Sequence, residues 1–462
     1  MSASYLNHPG LIDGSLILNG DWTHVPDHNF KDQHVQKELR HFADELISAY
    51  KGSLIELKKL ELDLFKDSST PLFIHAGVKL AISKTVFGII HKPLQIGVVV
   101  SVFRESHRLR PREINGLIWG QTRSDSALDP HPSGENFVIE KDRQLRWLTK
   151  ANPNINIRLI WVDDGCDTET GKAIQSIIDH RRLHESHEVI YLQDCINADS
   201  ANIPDLVKEA VVELKSTSDS KKGGSVYAGM ASSIMSGDDI VIYTDADLSY
   251  NLGLIGTLIQ PIVNGASAVT ANRRHELSVS EDAEFLHSEG KKRTKILLGT
   301  IRNDLLGHYL PTDTQAGFKA FDTANLASVV AMPDKITDMS FDIQLLARHA
   351  ASTGEVAVSV PIVVLDSSEL TTADNSSTYA DMARAVLRTA RESQTLTGET
   401  EKMLNILADH WPEVVTLLET PTSDKIITQL QKTLTTTVNT TASKIKYAQV
   451  RPGILRLIQT FA

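Results

Sequence analysis

The sequence predicts an α/β protein built on a mostly parallel sheet, and three apolar runs support this prediction. Residues 94–103, L-Q-I-G-V-V-V-S-V-F, form a continuous apolar run that is typical of a strand buried on both faces. Residues 157–162 form a second run, which ends in Asp-Asp-Gly and is followed by helical spacing over 168–182. Residues 240–243 form a third run, which ends in Thr-Asp-Ala-Asp. Because strands alternate with helices, we expect parallel strands and a ligand site at their carboxyl ends.

The two ends of the chain are predicted to be helical. Apolar residues recur at helical spacing over 35–65, and again over 403–418 and 425–434. We therefore divide the chain into an N-terminal helical extension (1–93), a central α/β domain (94–395) and a C-terminal helical appendage (396–462). Since amphipathic helices must bury their apolar faces, these ends are candidates for a homodimer interface.

The composition restricts the classes of protein and partner. The chain has 462 residues, with 47 Lys and Arg against 58 Asp and Glu, and its net charge of −11 argues against nucleic-acid binding. Its two cysteines do not make a disulfide framework, and the N-terminus lacks the features of a secretion signal, so we expect a cytoplasmic protein. The most apolar region, 71–103, is interrupted by charged residues, which predicts that the chain has no transmembrane helix.

Two carboxylates, Asp245 and Asp247, follow the third apolar run directly. A turn at a strand end can bring both onto one hard divalent cation, either Mg²⁺ or Mn²⁺. Such a cation neutralises the charge that develops when a nucleoside diphosphate leaves. An isolated D-x-D is a weak motif that is usually a solvated turn, so other residues must support this interpretation.

Polar residues at other strand ends give that support. Asp163 and Asp164 are placed to accept hydrogen bonds from a nucleobase or a ribose, and equally to stabilise the start of the following helix. Arg273 and Arg274 follow an apolar stretch over 268–271, where guanidinium groups can clamp phosphates.

A series of motifs resembles the inverting family 2 glycosyltransferases, and especially the dolichyl-phosphate glucose and mannose synthases. The matching segments are V-V-S-V-F-R-E (99–105), V-D-D-G-C (162–166), K-K-G-G-S-V-Y-A-G-M (221–230), D-A-D (245–247), A-N-R-R (271–274), T-D-T-Q-A-G-F-K (312–319) and F-D-I-Q-L-L (341–346). The resemblance covers about residues 95–395, and the octapeptide at 312–319 is its most specific part. Arg104, Tyr227 and Ser249 stand where the relatives commonly have Asn, Arg and Gln.

The resemblance implies a nucleotide-sugar glycosyltransferase with the A-type fold. It implies that Asp164 contacts the base, that Asp245 and Asp247 hold the metal, and that Arg274 contacts phosphate. Asp342 is then the candidate catalytic base for an acceptor hydroxyl, although a lipid-phosphate acceptor would need no base. The donor-binding candidates are Phe103, Glu105, Asp163, Asp164, Lys222, Gly223, Asp245, Arg273, Arg274 and Gln315.

The substrates follow from the same resemblance. It implies a UDP- or GDP-sugar donor and an acceptor that is a small molecule, a glycan, a peptide or a lipid phosphate. Membrane-linked relatives carry transmembrane helices or a lipid-facing surface, whereas this chain has amphipathic helices of a soluble type at its ends, so a soluble acceptor is at least as well supported. Two alternatives remain: a retaining transferase similar to glucosyl-3-phosphoglycerate synthase, and a non-catalytic scaffold that binds sugar nucleotides. A nucleotidyltransferase ranks below these because the G-x-G-T-R-L opening is missing.

Overall fold

The predicted α/β class with a mostly parallel sheet is confirmed. The computed structural model describes residue 30 and residues 33–109, 112–114, 117–119, 137–197, 203–280, 298–299, 301–303, 305–365 and 376–395. The predicted C-terminal appendage over 396–462 and the first 29 residues of the N-terminal extension therefore lie outside the described residues.

A seven-stranded sheet forms the centre of the molecule. Its strands are β1 (Leu94–Val102), β4 (Ile155–Asp163), β5 (His187–Tyr191), β6 (Ile240–Thr244), β7 (Ala268–Asn272), β9 (Phe318–Asp322) and β10 (Val358–Pro361). Their spatial order is β10-β7-β9-β6-β1-β4-β5. Within it β9 runs antiparallel to β6 and β7, and the other neighbours are parallel. Two small sheets pair β2 (Arg112–Ile114) with β3 (Leu117–Trp119), and β8 (Val279–Ser280) with β11 (Val363–Val364).

Helices lie on both faces of this sheet. The first six are α1 (Gln33–Ala49), α2 (Leu54–Leu64), α3 (Leu72–Gly88), α4 (Phe137–Thr149), α5 (Thr170–Arg181) and α6 (Leu192–Ile196). The next six are α7 (Asp205–Val211), α8 (Gly223–Met235), α9 (Ile255–Val263), α10 (Thr323–Ala331), α11 (Phe341–Thr353) and α12 (Ser376–Glu392). Short 3₁₀ turns occupy Ser106–Arg108, Thr217–Asp219 and Leu252–Leu254.

Alternate residues of the strands enter two separate hydrophobic cores. Val98 and Val100 pack on the side that holds α1, α3, α4, α5 and α9, whereas Val99 packs on the side that holds α7, α8, α10, α11 and α12. This division follows from the two-residue period of a strand, and it explains why the β1 run is apolar throughout. On the second side, a Cβ at Gly229 would lie 2.4 Å from Val99, so α8 approaches the sheet more closely than a larger residue would allow.

The N-terminal helices are part of the first core. Leu39, Phe42 and Ile74 belong to the same buried cluster as the strands, and α3 is buried on nearly all sides. Because α3 packs on nearly all sides, its few buried polar residues need partners, and Lys79 pairs with Glu61 of α2 at 2.6 Å. In the described part of the chain, none of the helices combines the length and the apolar character needed to cross a membrane.

Candidate functional site

The motifs meet at one edge of the sheet. Strands β1, β4, β6 and β7 all end at this edge, and the antiparallel strand β9 begins there. The register places Val102 opposite Asp163 and Thr244 opposite Phe318. The loops that follow β4, β6 and β7, and the loop that precedes β9, are therefore neighbours, as expected for a ligand site in such a sheet.

Asp163 and Asp164 have different environments. The carboxylate of Asp163 accepts three backbone hydrogen bonds, from Gly165 at 2.9 Å, Cys166 at 3.0 Å and Gly171 at 2.7 Å. It thereby holds its own loop and the first turn of α5 in place. This is the helix-stabilising role that the sequence also predicts for this pair of residues. Asp164 is buried, and its Oδ1 has no hydrogen-bond partner among the described residues. Burial raises the pKa of Asp164 to about 6. Since its Oδ1 has no partner among the described residues, Asp164 is the carboxyl of the two with an oxygen available to a ligand.

Lys222 connects the loop after β4 to the loop after β6. Its backbone N–H donates to Oδ2 of Asp164 at 2.7 Å, and its Nζ donates to Oδ1 of Asp245. Its φ of +92° is a conformation that lysine rarely adopts. A strained backbone persists only where its surroundings hold it, and such positions cluster at functional sites.

The carboxylates of the D-A-D motif already have cationic neighbours. Burial alone would raise the pKa of Asp245, but the charge of Lys222 outweighs it and holds this pKa below its ordinary value. Asp247 accepts a hydrogen bond from the backbone of Ser249 at 3.1 Å, and its Oδ2 lies 3.7 Å from Nη1 of Arg108. Both carboxylates thus lie beside basic side chains at this edge of the sheet.

The two arginines after β7 differ in their partners. Arg273 forms a two-pronged ion pair with Asp313, at 2.8 Å from Nε and 2.9 Å from Nη2, and its backbone N–H donates to the same carboxylate at 3.0 Å. Burial opposes the charge of Asp313, but Arg273 outweighs it and the pKa of Asp313 lies far below its usual range. Arg274 is exposed, and its backbone N–H is bonded to Asn272. The Arg274 side chain is therefore the better placed of the two to contact a phosphate.

The remaining donor-binding candidates surround these groups. Phe103 is 44% exposed and lies under the guanidinium of Arg104, and Glu105 forms an ion pair with Arg108 at 2.7 Å. A Cβ at Gly223 would lie 2.7 Å from the backbone of Thr337, so only glycine fits there. The backbone N–H of Gln315 donates to Asp313, whereas its Nε2 is without a hydrogen bond among the described residues.

Asp342, the predicted catalytic base, is buried in the helix layer. It lies in the first turn of α11 and is 5% exposed. Its Oδ1 is 2.9 Å from Nζ of Lys319, a β9 side chain with no exposed surface. Burial raises the pKa of Asp342 well above its ordinary value and lowers that of Lys319 well below its own.

Three basic residues near the site were not assigned from the sequence. Lys319 lies within the T-D-T-Q-A-G-F-K segment, where the motif gave it no role. Arg108 follows β1 in a 3₁₀ turn, where it reaches Glu105 and Asp247. Arg302 donates to Thr314 and to the carbonyl of Thr312, both at 2.8 Å, and burial lowers its pKa to about 10. No motif marks Arg108 or Arg302, so only the fold reveals them.

A divalent cation fits the chemistry of the D-A-D carboxylates. Among the residues that the structure describes, no group of three or more His, Cys, Asp or Glu side chains is arranged to hold a metal ion. Mg²⁺ commonly uses only one or two carboxylates and takes its other ligands from water and substrate phosphates. Asp245 and Asp247 are two carboxylates of the type such a site uses, and Oδ2 of Asp245 lies beside Gly317.

Comparison with known proteins supports the predicted resemblance. No family model matches the chain. A UDP-N-acetylglucosamine--dolichyl-phosphate N-acetylglucosaminyltransferase of Methanococcus voltae is 28% identical over 116 residues, which is 25% of this chain and 45% of that relative. The match thus spans less than half the length of the relative. The resemblance to glycosyltransferases that was predicted from the motifs is confirmed by this relative, and the chain is similar in sequence to an enzyme of that class.

The chain is also similar to several solved structures, which include the following two. Mannosyl-3-phosphoglycerate synthase from Rubrobacter xylanophilus is 15% identical, with coverage of 69% of this chain and 79% of that chain and a TM-score of 0.42. Glucosyl-3-phosphoglycerate synthase from Mycobacterium tuberculosis, in complex with Mn²⁺, UDP and phosphoglyceric acid, is 14% identical, with coverage of 67% and 82% and a TM-score of 0.40.

Proposed function

We propose that this protein is an A-type glycosyltransferase that transfers a sugar from a UDP- or GDP-sugar to an acceptor in a metal-dependent reaction. The observation that supports this most directly is the position of Lys222, which joins Asp164 on one loop to Asp245 on the next. A nucleotide bound across these loops would meet a free carboxylate oxygen at one end and the D-A-D carboxylates at the other. The proposal rests on this geometry together with the motif series.

The chemistry of these residues suits different parts of the donor. Asp164 offers an unpartnered acceptor oxygen to an N–H of the base or a hydroxyl of the ribose. The exposed Phe103 ring is a surface on which a base can stack. Arg274 and Lys222 supply positive charge to the diphosphate, because cations bind phosphate oxygens strongly where water is partly excluded.

Asp245 and Asp247 would hold the divalent cation. When bound, Mn²⁺ or Mg²⁺ supplies charge that stabilises the departing nucleoside diphosphate. For this to happen Lys222 must release or share Oδ1 of Asp245, and its ammonium would then be free to contact a phosphate oxygen. Arg108, 3.7 Å from Asp247, would remain as a second cation at the same carboxylate pair.

The transfer itself requires one bond to form and one to break at the anomeric carbon. An acceptor oxygen bonds to that carbon, and the electron pair of the bond to the diphosphate leaves with the nucleoside diphosphate. We propose that the acceptor attacks from the opposite face and inverts the anomeric configuration, since the T-D-T-Q-A-G-F-K segment is similar to that of the inverting group. A hydroxyl acceptor must also release its proton to a carboxylate or to water.

The proposal is tested by calorimetry of UDP-glucose, UDP-N-acetylglucosamine and GDP-mannose, with Mn²⁺ and with EDTA. We expect one donor to bind with Mn²⁺ and to lose at least tenfold in affinity in EDTA or in Asp247→Ala. Asp205→Ala is the matched control, because that carboxylate is 96% exposed on α7, and its affinity should stay within twofold. A folded protein that binds none of the three donors would contradict the proposal.

Product analysis separates the proposed reaction from its alternatives. The anomeric configuration of the product, measured by NMR, distinguishes inversion from retention. Hydrolysis of the bound donor in the absence of an acceptor argues for an enzyme, since a scaffold that only binds sugar nucleotides would leave the donor intact.

A further inference from the structure

Lys319 is a buried lysine in the central sheet. It is the second residue of β9, its side chain has no exposed surface, and its Nζ lies 2.9 Å from Oδ1 of Asp342 on α11. Burial of a lysine is costly unless its Nζ has polar partners, so the contacts of this side chain with its neighbours matter for the structure.

The same ammonium contacts two further groups. It donates a hydrogen bond to the carbonyl oxygen of Ala316, and it lies 5.0 Å from the ring centroid of Tyr243 on the neighbouring strand. Ala316 directly precedes Gly317, and a Cβ at Gly317 would lie 2.0 Å from Oδ2 of Asp245. Lys319 therefore links α11 to the stretch of backbone that packs against the D-A-D carboxylate.

We propose that Lys319 and Asp342 form a buried positioning pair, which holds the Ala316–Gly317 backbone against Asp245, and that Asp342 does not take the acceptor's proton. This inference rests on the proposed function for the meaning of Asp245, but the contacts themselves do not depend on it. A base must come within hydrogen-bond reach of the acceptor, whereas Asp342 is 5% exposed and one of its oxygens faces Lys319.

The pair can be tested with two single variants, one that tests the contact with the Ala316 backbone and one that tests whether Asp342 acts as a base. Lys319→Met removes the hydrogen bond to Ala316, so hydrogen exchange of the amides of residues 314–317 should rise at least fivefold, and UDP should bind at least tenfold more weakly with Mn²⁺. Asp342→Asn keeps the shape of the side chain and an oxygen beside Nζ of Lys319, so hydrolysis of UDP-N-acetylglucosamine should fall by less than tenfold. A lost general base would lower it by about 10²–10⁴-fold instead.

A double variant and a control separate positioning from stability. Lys319→Met/Asp342→Leu replaces the pair with apolar side chains, so the melting temperature should recover relative to Lys319→Met while UDP affinity stays low. Lys79→Met breaks another buried pair, with Glu61 at 2.6 Å, outside the candidate site. It should lower the melting temperature but leave exchange at residues 314–317 and UDP affinity within twofold of the wild type.

Each result decides the proposal. It fails if Asp342→Asn loses more than a hundredfold in turnover with UDP affinity unchanged, or if Lys319→Met exchanges at residues 314–317 no faster than Lys79→Met does. If the wild type binds no nucleotide, the proposed function fails, and the exchange comparison still tests the positioning pair on its own.

Discussion

Gly317 lies so close to Asp245 that a Cβ built on the glycine would be 2.0 Å from Oδ2 of the carboxylate and 2.6 Å from its Cγ. No side chain larger than hydrogen fits between the β9 entry and the D-A-D motif without moving one of them. Two motifs about 70 residues apart in the chain are therefore complementary in shape, which explains why a glycine stands in the T-D-T-Q-A-G-F-K segment.

Gly317→Ala should displace Asp245 and impair the site. We expect a cost of about 1–3 kcal/mol in the free energy of unfolding, typical of an overpacked position, and at least a tenfold loss in Mn²⁺-dependent UDP affinity. Urea unfolding and calorimetry measure the two effects. Gly299→Ala is the control, because a Cβ there meets nothing within 4 Å among the residues that the structure describes. Equal behaviour of the two variants would contradict the steric argument.

Asp164→Asn should stabilise the protein at neutral pH. Burial raises the pKa of Asp164 from 3.8 to about 6, so between these values the native state binds more protons than the unfolded state. Stability contributed by this group is therefore lost as pH rises through that window, by about 3 kcal/mol at most. Asparagine does not titrate, so the variant does not lose this stability. In urea unfolding, the excess of its free energy of unfolding over that of the wild type should grow from pH 4 to pH 7.

The same Asp164→Asn variant should bind the nucleotide donor more weakly, because an amide replaces the ionised acceptor. Stabilisation together with weaker donor binding is the pattern of a functional residue kept in an unfavourable environment. If the difference in free energy of unfolding between the variant and the wild type does not change with pH, the pKa of Asp164 is not raised and this explanation is wrong.

The strand ends of the site could be predicted from the sequence because the signals are local. The apolar stretches over 157–162, 240–243 and 268–271 place Asp164, Asp245 and Arg274 just beyond strands, and parallel strands bring such positions together. Lys319 could not be assigned in this way, since its partner Asp342 is 23 residues away on a helix whose packing is set by tertiary contacts. Asp163 and Asp164 also accept hydrogen bonds from different backbone N–H groups. These partners depend on the folded loops and cannot be read from the sequence.

Asp313→Asn should destabilise the protein most strongly near neutral pH. Arg273 holds the pKa of Asp313 far below its usual range, so this carboxylate contributes stability above its unfolded pKa of about 3.9, and that contribution is lost as pH falls further. Because Arg273 is 41% exposed, we expect a cost of only about 1–2 kcal/mol at pH 7. Urea unfolding should show a smaller difference in the free energy of unfolding between the wild type and the variant at pH 3 than at pH 7. The same difference at both pH values would contradict the ion-pair explanation.

Arg40→Met should show that α1 is part of the folded core. Arg40 on α1 pairs with Glu140 on α4, and the Glu140 side chain has no exposed surface. Removing the arginine leaves a buried carboxyl without its main partner, which typically costs about 3–5 kcal/mol, whereas Arg40→Met/Glu140→Leu removes both charges and should cost less. The exposed pair of Lys66 and Asp63 gives the control, Lys66→Met, which should leave the unfolding midpoint unchanged.

Urea unfolding of these variants distinguishes two roles for the N-terminal helices. If α1 were an appendage, Arg40→Met would unfold it separately and leave the main transition unchanged. Because Leu39 and Phe42 share one buried cluster with the strands, we expect a single transition whose midpoint falls in Arg40→Met and partly recovers in the double variant. Two transitions would contradict a common core.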